Sequence, residues 1–182
     1  HENGGSPLDE LGGTYTGWLQ MAKVQPDESI LERMPAVKKG EYVYALGSLA
    51  GHKNFKWIRE VARRNPDKTF VVAGGKDLRA FGDDTEAKDT HNVFYPGYVS
   101  DAENAALMKH CRLFLHPAVF EGFGIPPLEA LALGAPIALA KASCLPELYG
   151  DQARYFDPYD YEVDLDALAA RPVALPDQVT AQ

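Results

Sequence analysis

The chain has 182 residues, 46% of them hydrophobic, which suffices for one α/β domain with its own core but is short for two. The formal net charge is −8 and no run of basic residues is longer than a pair, so we expect no nucleic-acid partner. The sequence contains no apolar run of membrane-spanning length and no signal-peptide pattern at its N-terminus, which predicts a soluble, cytoplasmic protein.

Strand and helix patterns alternate through the middle of the chain. Residues 1–40 predict a glycine-rich, flexible arm followed by a short helix between Pro26 and Pro35. Strands are predicted at 42–46, 69–73, 92–95, 112–116, 136–140 and 154–156, with helices at 54–64, at 100–109 and from Pro126 or Pro127 to Leu133. This alternation predicts an α/β, Rossmann-like domain over residues 41–160, whose mostly parallel sheet is covered by helices on both faces.

The remaining segments predict little regular structure. Residues 76–90 form a polar, acid-rich loop with at most one helical turn. Residues 161–182 begin with a run of acids and continue with prolines, so we expect an unanchored, truncated C-terminal tail without independent function.

A glycine turn flanked by two carboxylates is the most informative stretch. Gly122 and Gly124 lie between a predicted strand and a helix start, where exposed backbone N–H groups and the helix dipole favour an anion, typically a phosphate. Glu121 and Glu129 would repel a bare anion, so sugar hydroxyl groups are their expected partners. Either glutamate alone is consistent with a tight turn or a solvated helix face, but their joint placement favours a site.

A second loop, Gly47 to Asn54, also joins a strand to a helix. Lys53 stands at the helix start, where a positive charge is unfavourable, and this suggests a role in binding a diphosphate to which His52 could add a donor. The alternative is an ordinary exposed lysine. For Asn54 we expect local helix capping rather than substrate contact.

The other candidates are weaker. Tyr98 and Val99 could line a flat pocket for a base or could equally be packing residues. We expect scaffold roles for three histidines and both cysteines, which are His91, His110, His116, Cys111 and Cys144. Glu147 could hydrogen-bond across the site edge or cap and turn the chain, and the capping role is favoured. Ligand-spaced clusters are missing from the sequence, so no metal site is predicted.

These motifs together resemble a known enzyme family. Glu121 to Gly124, the prolines that follow, Leu128 to Ala130, Gly134 and Pro136 resemble the E-x7-E signature of retaining GT-B glycosyltransferases of family 4, the glycosyl transferases group 1. Gly47 to Asn54 resembles their G-[RST]-x-x-x-[RH]-K-N loop, Gly97 to Val99 their base-contacting loop, and Leu145 to Asp151 their L-P-E-x-x-G-D segment. The match spans residues 42–158 in order and corresponds to the C-terminal, nucleotide-sugar-binding half of the GT-B fold.

The resemblance implies a role for each matched residue. Glu129 would hold the ribose hydroxyls of the donor, and Glu121 the hydroxyls of the transferred sugar. Lys53 would contact the phosphates, Ser48 and His52 would be further donor-binding residues of the same loop, and the base would lie near Tyr98 and Val99. The backbone of Gly122, Phe123, Gly124 and Ile125 would meet the diphosphate or sugar. Glu121 and Lys53 are the implied catalytic residues, with no metal and no cofactor besides the donor substrate.

The function implied is that of a donor-binding domain of a retaining hexosyltransferase, as used in polysaccharide biosynthesis. Its partners would be a nucleoside-diphosphate sugar and a saccharide or lipid-linked acceptor, the latter bound by an N-terminal domain without which the chain would be inactive. The resemblance also allows peripheral membrane association of a full enzyme. Two alternatives stay open: a GT-B epimerase or phosphorylase relative, and a non-catalytic sugar-nucleotide-binding or interaction module. Many family members carry arginine at the position of Ser48 or His52, and this chain does not.

Overall fold

The computed structural model describes residues 21, 23–47, 54–74, 91–120 and 125–170. The predicted N-terminal arm, the acid-rich loop at 76–90 and the end of the predicted tail from residue 171 onward lie outside the described residues. The loops at 48–53 and 121–124 also lie outside them.

The described residues contain the predicted strands and helices in the predicted order, together with two further helices at Leu145–Tyr149 and Leu165–Ala169. The strands are β1 (Tyr42–Leu46), β2 (Thr69–Ala73), β3 (Val93–Gly97), β4 (Leu113–His116), β5 (Ile137–Ala140) and β6 (Arg154–Phe156). The helices are α1 (Ser29–Glu32), α2 (Phe55–Arg64), α3 (Asp101–His110), α4 (Ile125–Ala132), α5 (Leu145–Tyr149) and α6 (Leu165–Ala169), with a 3₁₀ turn at Gly150–Gln152 after α5.

The strands form one parallel sheet in the order β3-β2-β1-β4-β5-β6. The chain winds outward from β1 to β3, returns to the other side of β1 with β4, and winds outward again. In the register of the central pair, Val43 lies beside Leu113 and Tyr44 beside Phe114. The Rossmann-like α/β prediction is therefore confirmed, and the winding reverses between β1 and β4.

Both faces of the sheet are covered, which explains why the strands are apolar throughout rather than alternating. In β1, Tyr42 and Tyr44 enter the cluster formed with α1, α3, α4 and α5. Val43 and Ala45 point the other way, into the cluster formed with α2 and α6. The buried phenols on the first face are satisfied: the Tyr42 hydroxyl donates to the Leu107 carbonyl at 2.7 Å and the Tyr44 hydroxyl to Asn104 Oδ1 at 2.6 Å.

Local signals in the sequence set several element ends. Ser100 and Glu103 form a capping box at the start of α3, with the Ser100 hydroxyl accepting from the Glu103 N–H at 3.1 Å and the Glu103 carboxylate accepting from the Ser100 N–H at 2.9 Å. Gly134, with φ +83°, follows α4 as predicted. Strand β3 continues two residues beyond the predicted end, through Pro96, which an edge strand tolerates.

The segment after β6 differs from the predicted tail. Residues 165–169 form α6, with Leu165 buried and the Asp164 carboxylate capping the helix by accepting from the Ala167 N–H at 3.0 Å. Asp166 pairs with Lys68 Nζ at 3.0 Å and with Arg112 Nη2 at 2.7 Å. Two of the acids that suggested an unanchored tail, Glu162 and Asp166, thus contact bases that are distant in the sequence, which a local pattern does not reveal.

None of the helices in the described part of the chain has the length and apolar character needed to cross a lipid bilayer.

Candidate functional site

The site predicted from sequence falls at the point where the winding of the sheet reverses. In open parallel sheets, ligands bind beyond the carboxyl ends of the strands at this position. Here the strands concerned are β1 and β4, and the loops that follow them carry Lys53 and Glu121 in the sequence. Of the predicted site residues, seven lie outside the described ranges and keep the roles assigned to them as predictions: Ser48, His52, Lys53, Glu121, Gly122, Phe123 and Gly124.

Three glycines pack together at the carboxyl ends of β1, β2 and β3. The Gly47 N–H donates to the Ala73 carbonyl at 3.1 Å, and the Gly74 N–H to the Gly97 carbonyl at 2.9 Å. A Cβ on Gly74 would lie 2.1 Å from the Gly47 carbonyl oxygen, and the backbone of Gly74 has φ +107°, so no other residue fits there without movement. These three glycines thus lie together at one edge of the sheet.

Glu129 lies on the second turn of α4, between the buried residues Leu128 and Ala130. Its side chain is partly buried, and this desolvation raises the pKa of the Glu129 carboxyl above its usual value. The charge of Asp101, in the first turn of α3, raises that pKa further. Glu129 also contributes to the raised pKa of Tyr44, after burial and the charges of Tyr42 and Cys111. Glu129 is thus a desolvated acceptor beside the α3 and α4 N-termini.

The other predicted contacts with a base or diphosphate divide into exposed and buried side chains. Ile125, the first residue of α4, is 49% exposed, and Tyr98, just after β3, is 83% exposed. Val99 is 8% exposed and belongs to the core cluster. A ligand near this loop could therefore meet the ring of Tyr98, whereas Val99 could offer only backbone groups.

Asn54 does not cap its own helix, and the predicted local capping role is wrong. It precedes α2 with φ +60° and ψ +39° and makes no side-chain capping bond. Its amide instead donates to the carbonyls of Pro117 and Pro158, each at 3.3 Å. Pro117 follows β4 and Pro158 follows β6, so one side chain links three loops on the site edge. The partners are 63 and 104 residues away in sequence, and no spacing signal indicates them.

Three of the residues expected to be scaffold have structural surroundings that fit this role. His116, at the end of β4, is 2% exposed and its ring stacks near that of Phe114. His110 Nε2 lies 2.7 Å from Glu28, and the buried Cys111 thiol donates to the Met108 carbonyl. Burial raises the pKa of Cys111 to about 12, which removes it as a nucleophile near neutral pH. Glu147 is exposed on α5.

The described residues of the candidate site offer three groups to a ligand. They are the Glu129 carboxylate, which can accept from hydroxyl groups, the exposed ring of Tyr98 and the start of helix α4. Within the described ranges, no three His, Cys, Asp or Glu side chains come together as metal ligands. This arrangement suits recognition of a polyhydroxylated ligand that also carries a planar group.

Known proteins resemble this chain in sequence and in fold. Residues 27–169 match the family model described as glycosyl transferases group 1. O-antigen chain mannosyltransferase B of Escherichia coli is 28% identical over 155 residues, an alignment that covers 76% of this chain and 39% of that protein. The chain thus spans about two fifths of that relative's length.

Two solved structures show where the chain fits within such proteins. The C-terminal domain of the group 1 glycosyl transferase LpcC from Francisella tularensis superimposes with a TM-score of 0.56 at 18% identity, covering 77% of this chain and 80% of that one. Anabaena HepE, solved in complex with UDP and glucose, gives 0.60 at 22% identity over 78% of this chain and 42% of that one. The fold is that of the C-terminal half of a GT-B enzyme, and the chain belongs to the glycosyl transferases group 1 family.

Proposed function

We propose that this chain is the donor-binding domain of a retaining glycosyltransferase, which transfers a hexose from a nucleoside-diphosphate sugar to a saccharide or lipid-linked acceptor. The acceptor would be bound by a separate N-terminal domain, so transfer would require that domain as well. Family membership supports the reaction class, and the reversal of the sheet winding between β1 and β4 supports the position of the donor.

The observation that carries the proposal is the placement of Glu129. A partly desolvated carboxylate near the start of α4 is badly placed to bind a phosphate, because the two negative charges would repel each other. It is well placed to accept hydrogen bonds from a pair of hydroxyl groups, as on the ribose of a nucleotide. A hydroxyl donor would also replace the solvent that burial has removed from this carboxylate.

A ribose bound at Glu129 sets the expected positions of the base and the diphosphate. With the ribose on Glu129, the base lies toward the exposed Tyr98 ring and the diphosphate toward the N-terminus of α4. Lys53 would stabilise the charge that develops on the leaving diphosphate, and Glu121 would hold the hydroxyls of the sugar. The proposal assigns no metal ion to this step, because the lysine and the helix dipole supply the positive charge.

The transferred sugar is proposed to be mannose. This refinement rests on the relative named as an O-antigen chain mannosyltransferase. The donor base stays open between uracil, guanine and adenine, and the acceptor is proposed only as a saccharide or a lipid-linked saccharide.

A thermal-shift panel tests the proposal on the isolated chain. It compares UDP, GDP and ADP and their mannose and glucose conjugates, each with Mg²⁺ and with EDTA. A ligand at a hundred times its dissociation constant stabilises the folded state by about 2.7 kcal/mol, or roughly 5–11 °C for a chain of this size. We expect one base to dominate, mannose to be preferred over glucose, and the shift to be equal with and without the metal. No shift with any of these ligands at millimolar concentration would contradict the proposal.

A further inference from the structure

Asn54 lies between a predicted phosphate-binding lysine and the start of a helix. It directly follows Lys53 and begins the chain segment that continues into α2. Its two acceptors are the carbonyls of Pro117, which directly follows β4, and Pro158, which lies two residues beyond β6. Pro117 precedes Glu121 by four residues. The amide therefore connects the end of the loop that carries Lys53 to the beginning of the loop that carries Glu121.

The chemistry of this contact fixes the orientation of the amide. Both partners are carbonyl oxygens and can only accept, so the NH₂ group of Asn54 must face them, one hydrogen to each. Pro117 and Pro158 are themselves buried, and buried carbonyls require donors. Asparagine also tolerates the left-handed backbone found here, with φ +60°. The residue thus combines a strained backbone position with a two-carbonyl bridge.

The neighbouring turn of α2 makes the bridge rigid. The Trp57 ring stacks on Phe156 with centroids 4.5 Å apart, and its Nε1 donates to the Asp160 carbonyl at 2.8 Å. At the other end of the loop that carries Lys53, a Cβ added to Gly47 would lie 1.9 Å from the Phe55 ring. The chain is therefore closely packed both before and after this loop. Movement of Asn54 relative to β4 and β6 is therefore opposed on both sides.

We propose that Asn54 is a positioning residue for the donor diphosphate: it fixes the chain that carries Lys53 against the end of β4, which leads to Glu121. This inference rests on the proposed function and adds to it a residue that touches neither substrate nor reacting atoms. The proposed ribose anchor, Glu129, lies on α4, whereas the bridge joins the residue before α2 to the carbonyls that follow β4 and β6. Loss of the bridge should therefore weaken binding of the diphosphate and leave binding of the ribose and base.

Two substitutions separate the bridge from the backbone conformation. Asn54→Asp keeps the size of the side chain and the tolerance for φ +60° but turns oxygens toward both carbonyls. Asn54→Gly keeps the conformation at no strain and removes the side chain. The matched control is Asn65→Asp at the other end of α2, where the Asn65 amide donates only to Val61, four residues earlier, at 2.8 Å.

The measurement is calorimetric affinity for the nucleoside diphosphate and for the monophosphate of the base selected by wild type, at a temperature where circular dichroism shows every variant folded. We expect both Asn54 variants to lose about tenfold in diphosphate affinity, equivalent to about 1.4 kcal/mol, with a smaller loss for the monophosphate. Asn65→Asp should change neither, even if it lowers the melting temperature.

The possible outcomes distinguish failure of the positioning role from failure of the proposed function. If wild type binds and neither Asn54 variant changes the ratio of the two affinities, the positioning role is overturned and the proposed function stands. An equal loss for Asn65→Asp would likewise overturn it, since any damage to α2 would then suffice. Asn54→Gly decides between the outcomes, because it adds no charge. A loss seen for Asn54→Asp alone would overturn the positioning role, since an aspartate repels the diphosphate by its charge. Absence of wild-type binding overturns the proposed function and this inference with it.

Discussion

Glu129 is the residue on which the account depends most, and its environment has a consequence for stability. Burial, and then the charge of Asp101, raise the pKa of the Glu129 carboxyl. A raised pKa means that its contribution to stability is fully present below the unfolded-state pKa and is lost as the pH rises through the folded-state pKa. The ionised carboxylate is thus a cost to the ligand-free fold at neutral pH.

Glu129→Gln should accordingly stabilise the ligand-free chain at pH 7, because the amide carries no charge to desolvate. The gain should shrink toward pH 4, where the wild-type carboxyl becomes protonated. Urea unfolding at the two pH values measures both. The exposed Glu41→Gln serves as control and should stay within about 0.5 kcal/mol of wild type at either pH. A Glu129→Gln variant that is less stable than wild type at pH 7 would refute this interpretation.

At the same scale, sequence reasoning reached Glu129 but not the hydrogen-bond partners of Asn54. The position of Glu129 follows from local spacing, since a carboxylate eight residues after Glu121 falls on the helix behind the glycine turn. The bridge of Asn54 depends on Pro117 and Pro158, which only the folded sheet brings near. A side chain whose partners are set by tertiary contacts leaves no periodic trace in the sequence.

Among the elements, α2 is the one that joins the site edge to the C-terminal segment. Trp57 is 1% exposed, stacks on Phe156 and holds the Asp160 carbonyl. On the same helix, Arg64 pairs with Glu162 at 3.0 Å and lies over the Tyr161 ring. The exposed ion pair adds little, so the tryptophan is the main contributor to this contact.

Trp57→Ala should therefore lower the free energy of unfolding by about 3–5 kcal/mol, as expected when a fully buried aromatic side chain is removed. Chemical denaturation followed by circular dichroism gives the value. Tyr159→Ala offers a matched comparison on the contacting segment, because Tyr159 is 78% exposed and its loss should cost no more than about 0.5 kcal/mol. Similar effects for the two substitutions would show that α2 does not depend on this contact.

The elements themselves could be predicted well where the pattern is local. The apolar strands, the Ser100 capping box and the glycine after α4 are all signals within a few residues. Helix α6 was missed because Leu165 is buried against the far face of the sheet and Asp166 pairs with Lys68 and Arg112. From the sequence alone, the acids of α6 indicate a solvent-exposed segment. The structure gives Asp166 two basic partners, and these lie far away in the sequence.

For the molecule as a whole, the order of strands matters more than any single motif. Because β1 and β4 are neighbours, two loops that are about 70 residues apart in sequence, in a chain of 182, begin side by side. In the proposed function, this arrangement would assemble one donor site from separate motifs, with Glu129 on the ribose side and the loop that carries Lys53 on the phosphate side. An acceptor domain would complete the enzyme.

The most direct test of this central claim pairs a change in the protein with a change in the ligand. Wild type and Glu129→Ala are each titrated calorimetrically with the preferred nucleoside diphosphate and with its 2′,3′-dideoxy form. For wild type, removal of the ribose hydroxyls should cost about 1–3 kcal/mol, and Glu129→Ala should cost a similar amount with the intact ligand. Combining both changes should cost little more than either one, since they remove the same contact. Fully additive losses, or no wild-type binding at millimolar ligand, would contradict the account.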